Sequence, residues 1–490
     1  MWKVELKAPF TGLIPSYYET TGTPISDYNS SIFYGANSQF SIINGSLNIL
    51  NPDFFTQGKS SAALTNGTQV GDKVITGVAH YSNPTAAGKI YAVGGNTVYP
   101  ITTLTVGTKI DIDNGGSEVA TACVVAGAYA YVFYSKGASG DIAKITVSND
   151  AIDPDWGSST PTGAAALAGS VNFPAILGGD GIIYFGNGSS VGWYDPVTDE
   201  LNVADLDFPT NSIVVDLVWE RDRLYIAVNN PNISAVNTQG KIYTWDTYSE
   251  SWEEPVIEVG GKVGGILSKN GTIFVFYDHI VDSRFNLGYV SGDTIVGVAV
   301  FSGSLPVFGD YCIWKNHILF IAGNYILSWG SSNSAIPVAL NQFYYNADTL
   351  GSITSALSNP FVSLYTDTTY SINQITGYAT GGWAMSKWFE VGESIIEKVI
   401  VYYRPLYTGA RIDLGVYYEK NGYTQTLYDL GQIDATNDAN TYFKKFERLN
   451  IKCSNFCLYY DFTNSNDSSP MRITKVEIYG NEIQEQYKRT

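Results

Sequence analysis

The feature that most constrains this chain is a short strand that returns six times. Lys89–Val93, Ala130–Phe133, Ile182–Phe185, Leu224–Ala227, Ile273–Phe276 and Leu319–Ala322 each set an aromatic ring in an apolar run behind a turn or polar cluster. The rings are Tyr91, Tyr131, Tyr184, Tyr225, Phe274 and Phe320, separated by 40, 53, 41, 49 and 46 residues. A four-stranded propeller blade repeats at roughly 40–50 residues. One twisted sheet of that size cannot hide both its faces; blades packed around an axis bury them and leave only short edges. The spacing predicts a β-propeller of about six blades over 61–345, against a competing β-sandwich or prism with accidental spacing. Trp219–Ala227 also aligns without a gap on Trp314–Ala322, 95 residues later, or about two blades.

The flanks read differently. Residues 1–60 are rich in Pro, Ser, Asn and Tyr and predict an extended N-terminal arm with one or two strands, a candidate for completing a seventh blade or closing the sixth. Residues 346–385 are polar and predict a linker or ring-closing segment. From 386 to 490 the strands lengthen: Val399–Tyr403, Ile412–Tyr417, Phe456–Phe462 and Ile473–Ile478, several alternating with period two, predict an antiparallel β-sandwich, jelly-roll-like. No segment longer than ten residues carries a helical stripe, so the expected class is all-β.

Charge divides the chain. Of 28 basic and 46 acidic residues, 15 and 32 fall in residues 1–380, leaving 13 and 14 beyond. A region at −17 cannot hold nucleic acid by neutralising phosphates, so no tight nucleic-acid binding is expected. The N-terminal segment has charges where a signal peptide needs an apolar core, and no apolar run is long enough for a helical membrane span; export would need another route, such as release within an assembled particle.

Chemistry-bearing residues do not fall into catalytic patterns. The three histidines, His80, His279 and His317, lack the partner spacing of a zinc site or a Ser–His–Asp triad. Cys453 and Cys457 have no second ligand pair, and with Cys123 and Cys312 they read as small buried apolar residues. Asp111–Glu118 gathers oxygen ligands without the spacing of a calcium loop and reads as an Asn-Gly turn; Gly94-Gly95-Asn96 reads as a hairpin turn, not a phosphate cradle. A sialidase-type site needs several arginines, and the propeller region offers Arg221, Arg223 and Arg284. The expectation is no enzyme, with no catalytic, cofactor or metal residues. A propeller glycosidase using axial carboxylates stays open as an alternative.

Two resemblances add to this. Gly178-Gly179, Tyr184 and Trp193, with the turn Asp195–Asp199, resemble a kelch repeat; the other blades keep less of the pattern, so it implies the fold and no partner. Gln57–Gly67 followed by Lys89–Tyr99, with the closing strand Ile473–Gly480, resembles tail proteins of tailed bacteriophages, whose nozzle or hub proteins combine an irregular arm, a propeller and a β-rich platform. That resemblance implies a virion structural protein made in the host cytoplasm. It would stand in a tail ring, of six copies by expectation, around the channel for DNA ejection, with other tail proteins as partners. Acidic walls would let DNA pass without being held. The alternative is an adhesin-like propeller that binds a host-surface glycan through exposed aromatic rings.

Overall fold

The structure is a computed structural model. It describes residues 2–7, 13–15, 40–42, 46–50, 59–64, 77–81, 89–102, 105–112, 118–168, 173–230, 239–278, 284–314, 317–323, 325–330, 338–344, 349–356, 359–366, 369–377, 381–386, 389–403, 406, 408–419, 425–438, 441–463 and 473–483. The chain divides into two units. One gathers 62–325 and 345–374; the other gathers 1–61, 326–344 and 375–490.

The first unit is a β-propeller. Its strands form antiparallel meanders in chain order, and the inner strands of the successive sheets are Gly77–Tyr81, Glu118–Ala126, Ala175–Leu177, Ile213–Glu220, Val263–Lys269, Tyr311–Trp314 and Thr349–Ala356. The last of these lies against both Tyr311–Trp314 and Gly77–Tyr81, so the series closes on itself. Seven blades result, one more than the sequence displays. All six aromatic repeats are second strands, which pack between an inner strand and a third strand and are covered by neighbouring blades on both faces. Hence they read as nearly continuous apolar runs: Ile183–Asn187 is buried throughout. Their rings cross from blade to blade. Tyr131 of blade two meets Tyr194 of blade three at 5.1 Å, Tyr184 stacks on Trp219 of blade four at 5.6 Å, and Phe276 of blade five meets Phe320 of blade six at 5.2 Å.

The seventh blade takes three of its strands from the stretch 346–385, whose last strand, Gly381–Ser386, belongs to the other unit. Thr349–Ala356, Asn359–Thr366 and Thr369–Gly377 are its first three strands, and Lys59–Leu64, from far upstream, is the fourth. Its core is weak in aromatic signal: Ile353, Phe361, Val362 and Ile372 among buried serines.

The gapless alignment of blades four and six slips by one residue in the structure. Trp219 pairs with Leu224, but Trp314 pairs with His317, so measured from the hairpin turn the true offset is 94. A one-residue slip exchanges the two faces of a strand. Consequently Tyr225 is half-buried while Phe320 is fully buried.

The second unit is one sheet folded into two layers. Phe443–Thr463 runs through both, turning at Arg448 and Asn450, which take positive φ of 60° and 52°. Before the turn it pairs with Lys398–Tyr402; beyond it, 455–463 pairs with Arg411–Glu419. Ile396, Val399 and Val401 on one layer share a core with Ile412, Leu414 and Val416 on the other. The outer members include Trp2–Lys7, paired along its whole length with Ile473–Glu482, and Ser46–Leu50, paired with Gly381–Ser386. Each fully buried Val or Ile contributes about 1.5–3 kcal/mol.

Candidate functional site

The inner strands of blades two, four, five and seven each break register against their second strand, between Ala120 and Ala122, Val214 and Asp216, Val263 and Gly265, and Leu350 and Ile353. A bulge re-aims side chains and frees backbone groups. Here it sets polar groups into the middle of the propeller, where a cavity of about 340 Å³ is lined by Asp216, Ser268, Phe308, Tyr311, Cys312 and Ser352 together with apolar side chains.

Asp216 is the hub of this site. It is 2% exposed. One carboxylate oxygen accepts from the Leu217 N–H at 2.8 Å; the other accepts from the Ile266 N–H of blade five at 2.7 Å and from the Tyr311 hydroxyl of blade six. Tyr311 reaches across blade five because position 265 is glycine. A Cβ there would overlap the Tyr311 ring and hydroxyl. Burial pushes the Asp216 carboxyl up to about 7, with the Tyr311, Ile266 and Leu217 hydrogen bonds pulling against it. Burial also pushes Asp310 up to about 7, opposed by the Val307 N–H at 3.0 Å. Burial and then the neighbouring Asp216 charge drive the Tyr311 phenol well above its ordinary value.

Counted from the hairpin turns, Asp216, Gly265 and Asp310 hold the same place in blades four, five and six: each lies four residues before the last paired residue of its inner strand. Two carboxyls, Asp216 buried and Asp310 half-buried, thus flank one glycine in repeat register. The sequence held this signal, but it is visible only at the 94-residue offset.

The chemistry open to Asp216 is narrow. All three donors that touch it come from protein, and they tie three blades together. Similar ties recur: Asn229 exchanges two hydrogen bonds with the Val263 backbone, at 2.7 and 2.9 Å, joining blades four and five. Asp150 of blade two receives Lys89 and the Tyr91 hydroxyl of blade one, both at 2.9 Å.

The residues singled out in the sequence lie apart. His80 sits in the inner strand of blade one opposite Ile90, His317 is buried opposite Trp314, and His279 lies outside the described residues. Arg223 pairs with Glu253 at 2.8 Å on the outside of blade four, and Arg221 occupies the adjoining turn with a φ of 53°. Asp111 pairs with Lys109 at 3.1 Å, and most of the loop up to Glu118 lies outside the described residues. Gly95 and Asn96 form the two-residue turn joining Lys89–Gly94 to Thr97–Thr102. The four cysteines are free thiols. Burial raises Cys123 and Cys312, and raises Cys453 to about 11, which removes thiolate character. Among the described residues no group of three or more His, Cys, Asp or Glu is placed to hold a metal ion, and no helix is long and apolar enough to cross a membrane.

The fold and site define a seven-bladed β-propeller joined to a two-layered antiparallel sheet unit. No protein-family model and no curated protein matches the chain. Among solved structures, a chain from a crystal structure of the mitotic checkpoint complex is similar at 12% identity and a TM-score of 0.44, over 66% of this chain and 98% of that one. A likeness that loose carries neither a function nor a partner across.

Proposed function

We propose that the chain is a structural subunit of a bacteriophage tail, a nozzle- or hub-like ring protein around the channel through which DNA leaves. The observation that carries this reading is the partition of charge between the two units. The propeller unit holds 12 basic and 28 acidic residues, a net −16, against 16 and 18, a net −2, in the sheet unit. An acidic propeller repels the phosphate backbone and lets a duplex slide; a near-neutral sheet unit suits protein contacts. The polar groups at the centre of the propeller are engaged in holding blades together, as a load-carrying ring protein requires. Peptide mass spectrometry on gradient-purified virions tests the reading: the chain belongs among the tail proteins in multiple copies, and its absence from the particle ends the idea. The purified chain is also expected to show no appreciable affinity for duplex DNA at physiological salt; tight binding would contradict an acidic channel.

A second reading, a propeller that binds a host glycan, is favoured by Trp193, half-buried at blade three, and by Tyr248 of blade four, which is 90% exposed. Aromatic faces of this kind stack on sugar rings. A glycan array with the pure protein separates the two readings.

A further inference from the structure

The outward face of the sheet unit is a lattice of lysines on aromatic rings. The registers place Lys3, Tyr479, Lys398 and Glu447 in one row, Glu5, Glu477, Ile400 and Lys445 in the next, and Lys7, Lys475, Tyr402 and Phe443 in a third, five lysines against three glutamates. Their strand neighbours Val399, Val401, Val476 and Ile478 point the other way, into the core. Lys398 lies 4.4 Å over the Tyr479 ring, Lys475 5.1 Å over Tyr402, and Lys445 5.6 Å over Phe443. Glu477, almost covered, takes Lys3 and Lys475, both at 2.6 Å. Phe443 is 48% exposed and its neighbour Tyr442 66%. This is a rigid, aromatic and net positive surface in a chain that is otherwise acidic.

Its complement is on the same chain. Asp195 to Glu258, which runs from the end of the third strand of blade three through its fourth strand and nearly all of blade four, contains 13 acidic and 3 basic residues. Glu200, Asp205 and Asp207 are exposed on the outermost strand of blade three, and Glu254 and Glu258 on that of blade four. Both strands end their sheets, and the blade-three strand meets Thr162 on its outer side at Glu200.

We infer that the lysine–aromatic face of the sheet unit docks on the acidic outer strands of blades three and four of a second copy of this chain. A patch that meets a different patch is a head-to-tail contact, which forms a ring when its rotation closes and a filament when it does not. Opposite fields on the two patches steer the encounter and fix its register, and Tyr and Phe provide contact area. The inference supplies the contact that the tail-ring reading lacks, and rests on that reading for the closed ring.

The test is a charge exchange, read by sedimentation velocity on the full chain at low and high salt. One variant carries Lys398→Glu and Lys445→Glu, the other Glu200→Lys and Glu254→Lys; none of these residues bonds Glu477, and melting temperature checks that both variants fold. Each variant alone is expected to weaken assembly by about tenfold or more, because like charges then face each other. Mixing the two restores it in alternating copies, since each reversed face meets a reversed edge and each native face a native edge. Assembly unchanged in both variants overturns this contact while leaving a ring held elsewhere intact. A wild-type chain that stays monomeric at low salt overturns contact and ring together. Loss in the variants without rescue on mixing also overturns the pairing, because it shows that the two patches do not meet.

Discussion

The propeller and the sheet unit bury ionisable groups in opposite ways. In the propeller, Asp216 is buried and Asp310 half-buried, each with few donors and no cation at hydrogen-bond distance among the described residues, so desolvation wins and both carboxyls rise to about 7. In the sheet unit, burial would raise Glu477 too. Lys3 and Lys475, followed by the Tyr479 and Tyr402 hydroxyls, outweigh it and hold the carboxyl at about 2. The difference teaches where each unit needs acidity. A closed ring of blades tolerates a carboxylic acid that bridges three of them, whereas an open sheet face carries its carboxylate only beneath cations.

The largest effect expected comes from the aromatic layer between blades three and four. Trp245 is 1% exposed, donates its indole N–H to the Ser249 carbonyl at 2.8 Å, and stands edge-on to Tyr184. Trp245→Ala should cost about 3–5 kcal/mol, and Phe456→Ala in the core of the sheet unit about as much. Hydrogen exchange read peptide by peptide shows where each loss falls: in the blades for the first, in the two layers for the second. A loss below about 1 kcal/mol at either site would mean that its core is not packed as described.

Next in size is the Asp216 bridge. Gly265→Ala should displace Tyr311 and cost about 1–3 kcal/mol, and Tyr311→Phe should cost about 1–3 kcal/mol by leaving Asp216 one donor short. Because both act on one hydrogen bond, the double variant should fall well short of the sum, and an additive result in urea denaturation would separate Gly265 from the bridge.

The pH response then divides the two units. Asp216 and Asp310 keep protons in the folded state that the unfolded chain releases near pH 4. Their contribution to stability is therefore complete below about 4, declines as pH rises to about 7, and is flat above, with a slope of about 1.4 kcal/mol per pH unit for each group. Glu477 has the opposite sign: its contribution is present above about 4.5 and is lost as pH falls towards 2. Hydrogen exchange at pH 4 and pH 7, corrected for intrinsic rates, should show the propeller strands better protected at the lower pH. Asp310→Asn should flatten that trend, and a propeller that gains protection towards pH 7 would break the comparison.

How much of this was legible in sequence depends on distance along the chain. Six blades announced themselves because their second strands are covered on both faces, so Ile183–Asn187 or Tyr129–Lys136 had to be apolar and aromatic together. The seventh did not, because Asn359–Thr366 lies in serine- and threonine-rich text and its fourth strand comes from Lys59–Leu64, nearly the whole propeller away. The bridge was hidden by a single residue. Trp219 and Trp314 look equivalent, and aligning them sets Asp216 against Tyr311; the hairpin registers set Asp216 against Asp310 instead. The lysine face was invisible because its rows cross four strands drawn from both ends of the chain, and no local pattern links Lys3 to Tyr479.

The smallest effect expected is at Arg223 and Glu253, on the outside of blade four. The pair is close, at 2.8 Å, yet the Arg223 side chain is 48% exposed and Glu253 34%. Hydrogen bonding to Glu253, and then its charge, raises the guanidinium pKa, but a guanidinium is charged at every pH at which the protein folds, so that shift stores no pH-dependent stability. Water and salt screen such a pair, and fixing two long side chains costs entropy that offsets most of the attraction. Glu253→Gln should therefore leave stability almost unchanged, and more nearly so as salt rises. A clear, salt-insensitive loss of stability would show that this pair is shielded from solvent in the assembled protein, which would place the edge of blade four inside a contact.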